Sequence, residues 1–293
     1  MAFFYSSRPS GLTRRHFLGC ASAAALALPA QLAAAGDSPP RRALACRLAS
    51  YGAYEEAAWT HLPAIGVRHM FMNVPEPDQI DAVAARLEAH KLAPVVMRGA
   101  ADLSTPESIG ILAGQLAICR RFGVRYMFLS PKHAEAPREV AWEHLRRAGD
   151  AAAEQDVIIA LETHPDLGTN GAVHLETMQA VDHPYVRVNF DTGNITYYNR
   201  DTDAVSELKK IVDYVATVEF KDHNGGFETW TFPPLGQGVV DFPGVLDVLN
   251  AHGYAGPITL EFEGTKGVEL DEAQTRQAIE TSVAYVRSLG EFD

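Results

Sequence analysis

Residues 157–164 read Val-Ile-Ile-Ala-Leu-Glu-Thr-His, and residues 186–194 read Val-Arg-Val-Asn-Phe-Asp-Thr-Gly-Asn. Each stretch is a short, mostly apolar run that leads into an acidic residue. This pattern is typical of a strand in a parallel sheet, where both faces of the strand are covered. We therefore expect two such strands here, with acidic side chains at their carboxyl ends.

Runs of the same kind recur along the chain. The eight predicted strands are 44–48, 68–72, 93–97, 126–129, 157–161, 186–190, 214–218 and 258–260. Segments of helical periodicity alternate with them, at 80–90, 106–121, 140–154, 203–212, 245–252 and 271–289. Strands that alternate with helices form a parallel sheet, and eight such units over about 250 residues predict a closed barrel. We therefore predict an α/β fold, a single (β/α)8 TIM barrel over residues 43–293.

Two further segments bear on the organisation of the chain. No G-x-G-x-x-G motif follows the first predicted strand, which disfavours an open dinucleotide-binding sheet. Residues 224–242 form a long predicted loop that is rich in Gly, Pro and aromatic residues. Long loops inside compact domains tend to be functional, so this loop is expected to border a site.

The first 35 residues have the features of an export signal. Arg14-Arg15 precedes Phe17-Leu18, and an alanine- and leucine-rich stretch then runs to Ala33-Ala34-Ala35. A basic segment, an apolar segment and small residues at a cleavage site, together with paired arginines, predict a twin-arginine signal peptide over residues 1–35. A linker is predicted over residues 36–42. We therefore expect the mature protein to be periplasmic or otherwise exported.

Charge and cysteine content limit the classes of partner. The formal net charge is −12 at pH 7, and such an acidic surface repels the phosphate backbone of nucleic acid. Beyond the N-terminal segment, no apolar run approaches the ~20 residues of a membrane span. Cys46 and Cys119 are expected in a strand and a helix as packing residues. A homo-oligomer is left open.

Four consecutive predicted strands end in carboxylates. They are Glu162, Asp191, Glu219 and Glu261. Active sites of this barrel type lie at the carboxyl ends of the strands, so these acids should lie together. Carboxylates buried together are costly unless a cation neutralises them, and oxygen ligands favour Mg²⁺, Mn²⁺ or Ca²⁺. We therefore predict a divalent metal, with Mn²⁺ or Mg²⁺ preferred, held by these four side chains.

On three of these strands, further polar residues share the face of the acid. They are His164 on the fifth strand, Lys221 and His223 on the seventh, and Glu263 on the eighth. The acid lies nearer the strand in each case. We therefore prefer Glu162 and Glu261 over their neighbours as metal ligands, and we expect the neighbours to bind substrate.

Taken in order, the strand-end motifs resemble a known family. The motifs are Leu-Glu-Thr-His at 161–164, Asn-Phe-Asp-Thr-Gly-Asn at 189–194, Phe-Lys-Asp-His at 220–223, Leu-Gly-Gln-Gly-Val-Val-Asp-Phe at 235–242 and Gly-Tyr-Ala-Gly-Pro-Ile-Thr-Leu-Glu at 253–261. They resemble the xylose-isomerase-like superfamily, and more closely its sugar phosphate isomerase/epimerase branch. The resemblance covers the chain from about residue 43 onwards. It implies a TIM barrel with a divalent metal held by Glu, Asp, His and Glu.

The sequence departs from this family at two positions. Glu219 stands where the family usually has His two residues before Lys-Asp, and Asn194 stands where it often has His. Three interpretations follow. Glu219 could be a ligand in an all-carboxylate site that favours harder metals than zinc. His223 could instead supply a nitrogen ligand, or the metal site could be weakened or lost.

The resemblance implies proton transfer next to a carbonyl, through a metal-stabilised enediolate. Glu162 and Glu261 match the acid and base of the resembled epimerases. We therefore predict an enzyme, an isomerase or epimerase of a small carbohydrate. Export argues against a phosphorylated substrate and favours a free sugar or keto-sugar. Trp230 in the long loop is a candidate to stack on the sugar, with packing inside the loop as the alternative.

Three other functions are compatible with the same fold. A keto-sugar or glycoside lyase or dehydratase would use the same metal and carboxylates. A non-catalytic sugar-binding barrel is suggested by the missing histidines. A metal-dependent endonuclease shares the barrel, but the acidic surface disfavours it.

Overall fold

Eight short strands pair in parallel and close on themselves to form a barrel. The computed structural model describes residues 41–293, so the predicted signal peptide at 1–35 and most of its linker lie outside the described residues. The strands are β1 Leu44–Arg47, β2 His69–Asn73, β3 Ala93–Gly99, β4 Tyr126–Leu129, β5 Ile158–Glu162, β6 Val186–Asp191, β7 Val215–Phe220, β8 Thr231–Phe232, β9 Ile258–Leu260 and β10 Gly264–Thr265. β8 and β10 form a separate antiparallel pair, and the other eight form the barrel. The predicted (β/α)8 barrel is therefore confirmed.

Helices connect the strands and cover the outside of the barrel. They are α1 Glu55–Ala64, α2 Ile80–His90, α3 Glu107–Arg121, α4 Arg138–Gln155, α5 Gly171–Val181, α6 Thr192–Tyr198, α7 Ala204–Ile211, α8 Phe242–Ala251 and α9 Glu272–Ser288. A 3-10 helix spans Leu48–Tyr54 between β1 and α1. The sequence patterns predicted all of these except α1, α5, α6 and the 3-10 helix. Within residues 41–293, no helix is both long enough and apolar enough to serve as a membrane span.

Side chains alternate between two environments along the barrel strands. On β6 and β7, Phe190 and Phe220 belong to the main hydrophobic core, which the helices cover. The residues on either side of each phenylalanine are polar and buried. On the same face, the hydroxyl of Thr217 on β7 donates to the side chain of Asn189 on β6 at 2.7 Å. Successive side chains of a strand point to opposite faces, so this polar set faces the barrel interior. The acids that end these strands therefore lie at the top of a polar interior.

The register of the strands brings the acids side by side. Asp191 on β6 pairs with Glu219 on β7, which in turn pairs with Thr259 on β9. Glu261 follows β9 directly, and its backbone N–H donates to the carbonyl of Phe220 at 3.0 Å. The carboxyl ends of β6, β7 and β9 therefore meet at one level of the barrel.

The long segment between β7 and α8 is held in place at several points. β8 within it pairs with β10, which follows β9. The carboxylate of Asp222 accepts hydrogen bonds from the backbone N–H groups of Gly236, Gly238 and Val240 at 2.8–3.2 Å. A Cβ at Gly238 would lie 2.2 Å from that carboxylate, so only glycine allows this close approach. The Gly-Gln-Gly motif thus fixes the loop to the end of β7.

Candidate active site at the carboxyl ends of the strands

A cavity of about 310 Å³ opens at the carboxyl ends of the strands. Six of the side chains selected from the sequence line it: Glu162, His164, Lys221, Trp230, Glu261 and Glu263. Asp191 and Glu219 are fully buried beside it. Trp230 is 40% exposed and packs edge-on against Tyr197 and Phe232, so it borders the cavity and also packs within its own loop.

Three of the acids form a tight cluster. Asp191, Glu219 and Glu261 each offer one carboxylate oxygen, and these oxygens lie within 4.8 Å of one another. Glu162 ends β5 and lines the cavity, but it is not part of this group. The sequence predicted a set of four ligands, and the structure brings three of them together.

Asp191 divides its two oxygens between two environments. Oδ1 accepts from the backbone N–H groups of Gly193 and Asn194, both at 2.9 Å, and so caps the N-terminus of α6. Oδ2 is buried and accepts no hydrogen bond from the described residues. Such an orphaned buried oxygen is costly unless a cation or proton faces it. The free oxygen therefore points to a positively charged occupant.

Arg47 at the end of β1 is a partner that the sequence patterns did not reveal. Its Nη1 lies 3.2 Å from Oε1 of Glu219 and 2.5 Å from Oε1 of Glu261. Its guanidinium also lies over the rings of Phe71 and Phe128, at 4.7 and 5.1 Å from their centres. Burial lowers the pKa of Arg47, but Glu261 and Glu219 outweigh burial and raise it. A permanent positive charge therefore sits against two acids of the cluster.

Lys221 supplies the second buried cation. Its Nζ lies 2.6 Å from Glu263, 3.1 Å from Oε2 of Glu261 and 3.9 Å from Oδ2 of Asp191. Burial lowers the pKa of Lys221, but the carboxylates of Glu261, Asp191 and Glu263 outweigh it, so the ammonium stays charged. Asn194 Oδ1 accepts from the same Nζ at 3.3 Å, which holds Lys221 in place.

The two cations do not neutralise the three acids evenly. Burial raises the pKa of Glu261, but Arg47 and Lys221 outweigh burial and lower it. For Asp191 burial dominates: Lys221 opposes it, and the pKa still rises to about 8. The pKa of Glu219 also rises well above its usual range, because of burial and the nearby Glu261. The two cations therefore do not fully balance the negative charge that Asp191 and Glu219 would carry when ionised.

The donor set fits a divalent metal. Asp191 Oδ2 is buried without a hydrogen-bond partner within residues 41–293, Glu261 Oε2 is buried with the ammonium group of Lys221 at 3.1 Å, and Glu219 lies against them. The triad of carboxylates could bind a hard divalent ion, because such ions prefer oxygen ligands. Lys221 now approaches the same two oxygens, so an ion that bound both would have to displace its ammonium group.

His223 lies outside the cavity wall. Its Nδ1 contacts the hydroxyl of Thr196 at 2.8 Å, and its Nε2 contacts the carbonyl of Thr229 at 2.9 Å. Both ring nitrogens are thus engaged, and the ring packs between Tyr197 and Phe232. The structure therefore places His223 as a support of the long loop, away from the position of a metal ligand. By contrast, His164 lines the cavity, with its Nδ1 2.7 Å from the carbonyl of Pro165.

The cavity has a second set of polar residues that the sequence patterns did not predict. Arg98, the next-to-last residue of β3, and Ser130 and Lys132 in the segment after β4 also line the cavity. The strand-end pattern that predicts a metal site consists of acids, and β3 and β4 carry none. The sequence nevertheless contains a signal for a polar site on β3, because Arg98 is a charged residue inside an otherwise apolar strand.

The chain is a TIM-barrel protein, because eight parallel strands close into a barrel. Its cavity and buried acids lie at the carboxyl ends of the strands, where barrels of this kind carry their active sites. The sequence pattern of one family of such barrels, the xylose isomerase-like TIM barrel, matches residues 54–289. The chain belongs to that family, as its strand-end motifs predicted.

Two curated relatives are similar to parts of the chain. A putative L-ribulose-5-phosphate 3-epimerase of Escherichia coli (strain K12) is 28% identical over 207 residues, which cover 66% of this chain and 71% of the relative. An inosose dehydratase of Lacticaseibacillus casei is 28% identical over 140 residues, which cover 42% of this chain and only 47% of that enzyme. The relatives are enzymes, and the chain is an enzyme of the same family.

Two solved structures share the fold. A D-psicose 3-epimerase from Clostridium cellulolyticum H10, solved with D-tagatose, has a TM-score of 0.68 and 16% identity, over 85% of this chain and 99% of that one. A xylose isomerase-like TIM barrel protein from Mycobacterium smegmatis, solved in complex with magnesium, has a TM-score of 0.67 and 16% identity, over 85% and 97% of the two chains. At these identities the likeness concerns the fold.

Proposed function

We propose that the protein is a divalent-metal-dependent isomerase or epimerase of a non-phosphorylated sugar or keto-sugar. One observation carries the proposal. The carboxylate of Glu162 lines the cavity and makes no hydrogen bond or ion pair with any side chain described in residues 41–293. A carboxylate that is unpaired and faces a cavity beside a charged cluster is suited to accept a proton from a bound substrate.

Glu162 and Glu261 have different environments, and this difference suggests different roles. They end β5 and β9, which are separated by β6 and β7 in the ring of eight strands. Glu162 is free to take the proton from the substrate carbon next to the carbonyl. Glu261 is held by Arg47 and Lys221 and faces the substrate from farther round the barrel. It is the candidate to return a proton to the opposite face of that carbon, which would invert the stereocentre. Because Arg47 and Lys221 lower the pKa of Glu261, this proton would come from the charged ammonium group of Lys221, 3.1 Å away.

Asp191, Glu219 and Glu261 are the residues that would hold the metal, with Glu162 as a further ligand once substrate and ion are bound. A Mn²⁺ or Mg²⁺ ion bound there would polarise the substrate carbonyl and stabilise negative charge on its oxygen. Lys221 and His164 would contact substrate hydroxyl groups from the cavity wall, and Glu263 would orient Lys221. The magnesium in the structurally similar Mycobacterium smegmatis protein supports this choice of ion.

Proton exchange with solvent tests this proposal directly. The protein, loaded with Mn²⁺ or Mg²⁺, is incubated in D₂O with a panel of free keto-sugars and followed by NMR. Deuterium incorporation without fragmentation is expected for the wild type, and both Glu162→Gln and Glu261→Gln should abolish it. Glu154→Gln, on the exposed end of α4, is the matched control and should keep full exchange. Exchange that persists in both site variants would refute the assignment of the two glutamates.

A dehydratase or lyase is the second candidate, because the inosose dehydratase of Lacticaseibacillus casei is among the relatives. The same residues would then remove a proton and a leaving group would depart from the adjacent carbon. The NMR experiment separates the two reactions, since elimination appears as loss of the leaving group. A non-catalytic sugar-binding barrel would show neither outcome, and chelation of the metal would leave its sugar binding unchanged.

We also propose that the protein is exported, on the basis of the paired arginines and apolar segment at residues 13–35. Replacement of Arg14 and Arg15 by Lys should keep the protein in the cytoplasm of a host with a twin-arginine pathway. Cell fractionation checks this outcome. Equal recovery of both versions from the periplasm would contradict it.

A further inference from the structure

Most of the cations and most of the acids that line the cavity follow different strands. In the ring of strands, Arg47 is the last residue of β1, Arg98 the next to last of β3, and Lys132 the third after β4. β5, β6, β7 and β9 end in acids. The part of the wall at β1, β3 and β4 is therefore the basic side, and the part at β5, β6, β7 and β9 is the acidic side, with Lys221 among its acids. The acids form ion pairs with Arg47 and Lys221.

Two of the cations on the basic side lack a counter-ion. Arg47 is paired with Glu219 and Glu261, and Lys221 is paired with Glu261 and Glu263. Arg98 and Lys132 make no ion pair with any acid within residues 41–293.

Arg98 is the more constrained of the two. It is partly buried, its guanidinium lies 5.9 Å from the centre of the Phe128 ring, and its Nε is fully buried without a hydrogen-bond partner among the described residues. A buried donor on a charged group is costly to leave unsatisfied, so an acceptor from a ligand would be stabilised there.

The neighbouring turn adds two more donors. Ser130 is buried, and its carbonyl accepts from the backbone N–H of Lys132 at 2.8 Å, which turns both residues onto the wall of the cavity. A guanidinium, an ammonium group and a hydroxyl group on one wall form a typical site for an oxyanion. The planar fork of Arg98 matches the two oxygens of a carboxylate, and it also binds phosphate.

We propose that Arg98, Lys132 and Ser130 form an oxyanion subsite, so that the substrate is an anionic sugar, with its charged group on the basic side and its reacting carbon near Glu162. The identity of the ligand as a carbohydrate rests on the proposed function. A cavity of about 310 Å³ is at the small end of ligand sites, which suits a single sugar unit. A sugar phosphate shares this oxyanion chemistry with a sugar carboxylate. The proposed function, which concerns a non-phosphorylated sugar, favours the carboxylate, and the experiment separates the two.

Binding of three related probes tests the subsite. D-glucuronate, D-glucose 6-phosphate and neutral D-glucose are titrated calorimetrically into the full protein at constant ionic strength, with a chelator present so that no metal contributes. We expect at least one anionic probe to bind more tightly than glucose. Arg98→Gln should weaken that probe about tenfold to a hundredfold, the usual effect of one charge-assisted contact, and should leave glucose unchanged. Preference for glucuronate would identify a carboxylate subsite, and preference for the phosphate ester a phosphate subsite.

Two further variants keep the test independent of folding. Lys132 is exposed, so Lys132→Met should fold normally and should weaken the anionic probe in the same direction. Arg68→Gln is the matched control, because Arg68 is exposed before β2 at the opposite end of the barrel, and it should bind as the wild type does. The proposal is overturned if no anionic probe binds better than glucose, or if neither site variant weakens the preferred probe.

The result is separable from the proposed function. Solvent exchange on neutral sugars, with no preference for anionic ones, would overturn the subsite and leave the isomerase intact. Anion binding that depends on Arg98, without proton exchange on the keto-sugar panel or on the corresponding anionic keto-sugars, would support the subsite and overturn the isomerase.

Discussion

Replacement of Arg47 by Met removes the charge that faces Glu219 and Glu261. Arg47 and both carboxylates are almost completely buried. Nη1 lies 3.2 and 3.3 Å from the two oxygens of Glu219 and 2.5 Å from Oε1 of Glu261. Removal of one partner from a buried pair leaves an uncompensated charge and typically costs about 3–5 kcal/mol. We therefore expect Arg47→Met to lower the free energy of unfolding by about that amount at pH 7. For a chain of this size, this corresponds to a fall in Tm of roughly 6–20 °C.

Urea denaturation at pH 7 and pH 5, in the presence of a chelator, measures the effect. The pKa of Glu219 is already raised by burial and by Glu261, and it should rise further without Arg47. Protonation of Glu219 therefore becomes easier in Arg47→Met, so the loss of stability should be smaller at pH 5 than at pH 7. The double variant Arg47→Met/Glu219→Met replaces the pair by apolar groups of similar size and should recover much of the lost stability.

Arg68→Met serves as the control, because Arg68 is exposed at the other end of the barrel, and it should behave as the wild type. Two results would refute the reasoning. One is a loss in Arg47→Met no larger than in the control. The other is a double variant whose loss equals the sum of the two single losses, because independent effects would mean that the buried pair does not exist.

Two other predictions concern the cluster and the loop. Burial raises the pKa of Asp191 to about 8 against the opposition of Lys221, so the metal-free folded state keeps a proton that the unfolded chain has lost. The free energy of unfolding should therefore fall as pH rises from about 4 to about 8, and Asp191→Asn should make this decrease smaller. Urea denaturation midpoints measured across that pH range check the prediction. A wild-type protein whose midpoint does not fall with pH would contradict it. Gly238→Ala would push a Cβ against Asp222, 2.2 Å away, and should destabilise the protein by about 1–3 kcal/mol and expose residues 224–242 to limited proteolysis. The control Gly110→Ala on α3, where nothing lies within 4 Å of the new Cβ, should be neutral or stabilising, and equal behaviour of the two variants would contradict the anchoring role of Asp222.

The barrel and the acidic strand ends were predictable because their signals are local. Each apolar run and the acid that follows it lie within about ten residues, and the alternation of strands with helices fixes which ends of the strands meet. Helix α6 was missed because it begins at Thr192 directly after β6, with Asp191 as its cap, so no polar turn marks its start. Helix α1 was missed because Pro63 lies inside it and a 3-10 turn precedes it.

The charge pairing inside the site was not predictable in the same way. Arg47 and Glu219 are 172 residues apart, and only closure of the barrel brings β1 towards β7 by way of β9. Glu219 was recognised as a departure from the expected histidine, but nothing in its own surroundings in the sequence indicates an arginine partner. For His223 the sequence pattern pointed to the cavity, because the residue shares the face of Lys221 along the strand direction. In the structure its ring turns into the loop and contacts Thr196 and Thr229 instead.

The two oxygens of Asp191 link the reactivity of the site to the architecture around it. Oδ1 holds the first turn of α6, and Oδ2 is the free oxygen that faces the cluster. The same helix carries Asn194, which contacts Lys221, and Tyr198, which lines the cavity. A substitution at Asp191 would therefore change the orientation of these two side chains as well as the charge of the cluster. The position of this carboxylate is therefore coupled to the start of α6, so that the charge of the cluster and the shape of the cavity wall depend on the same residue.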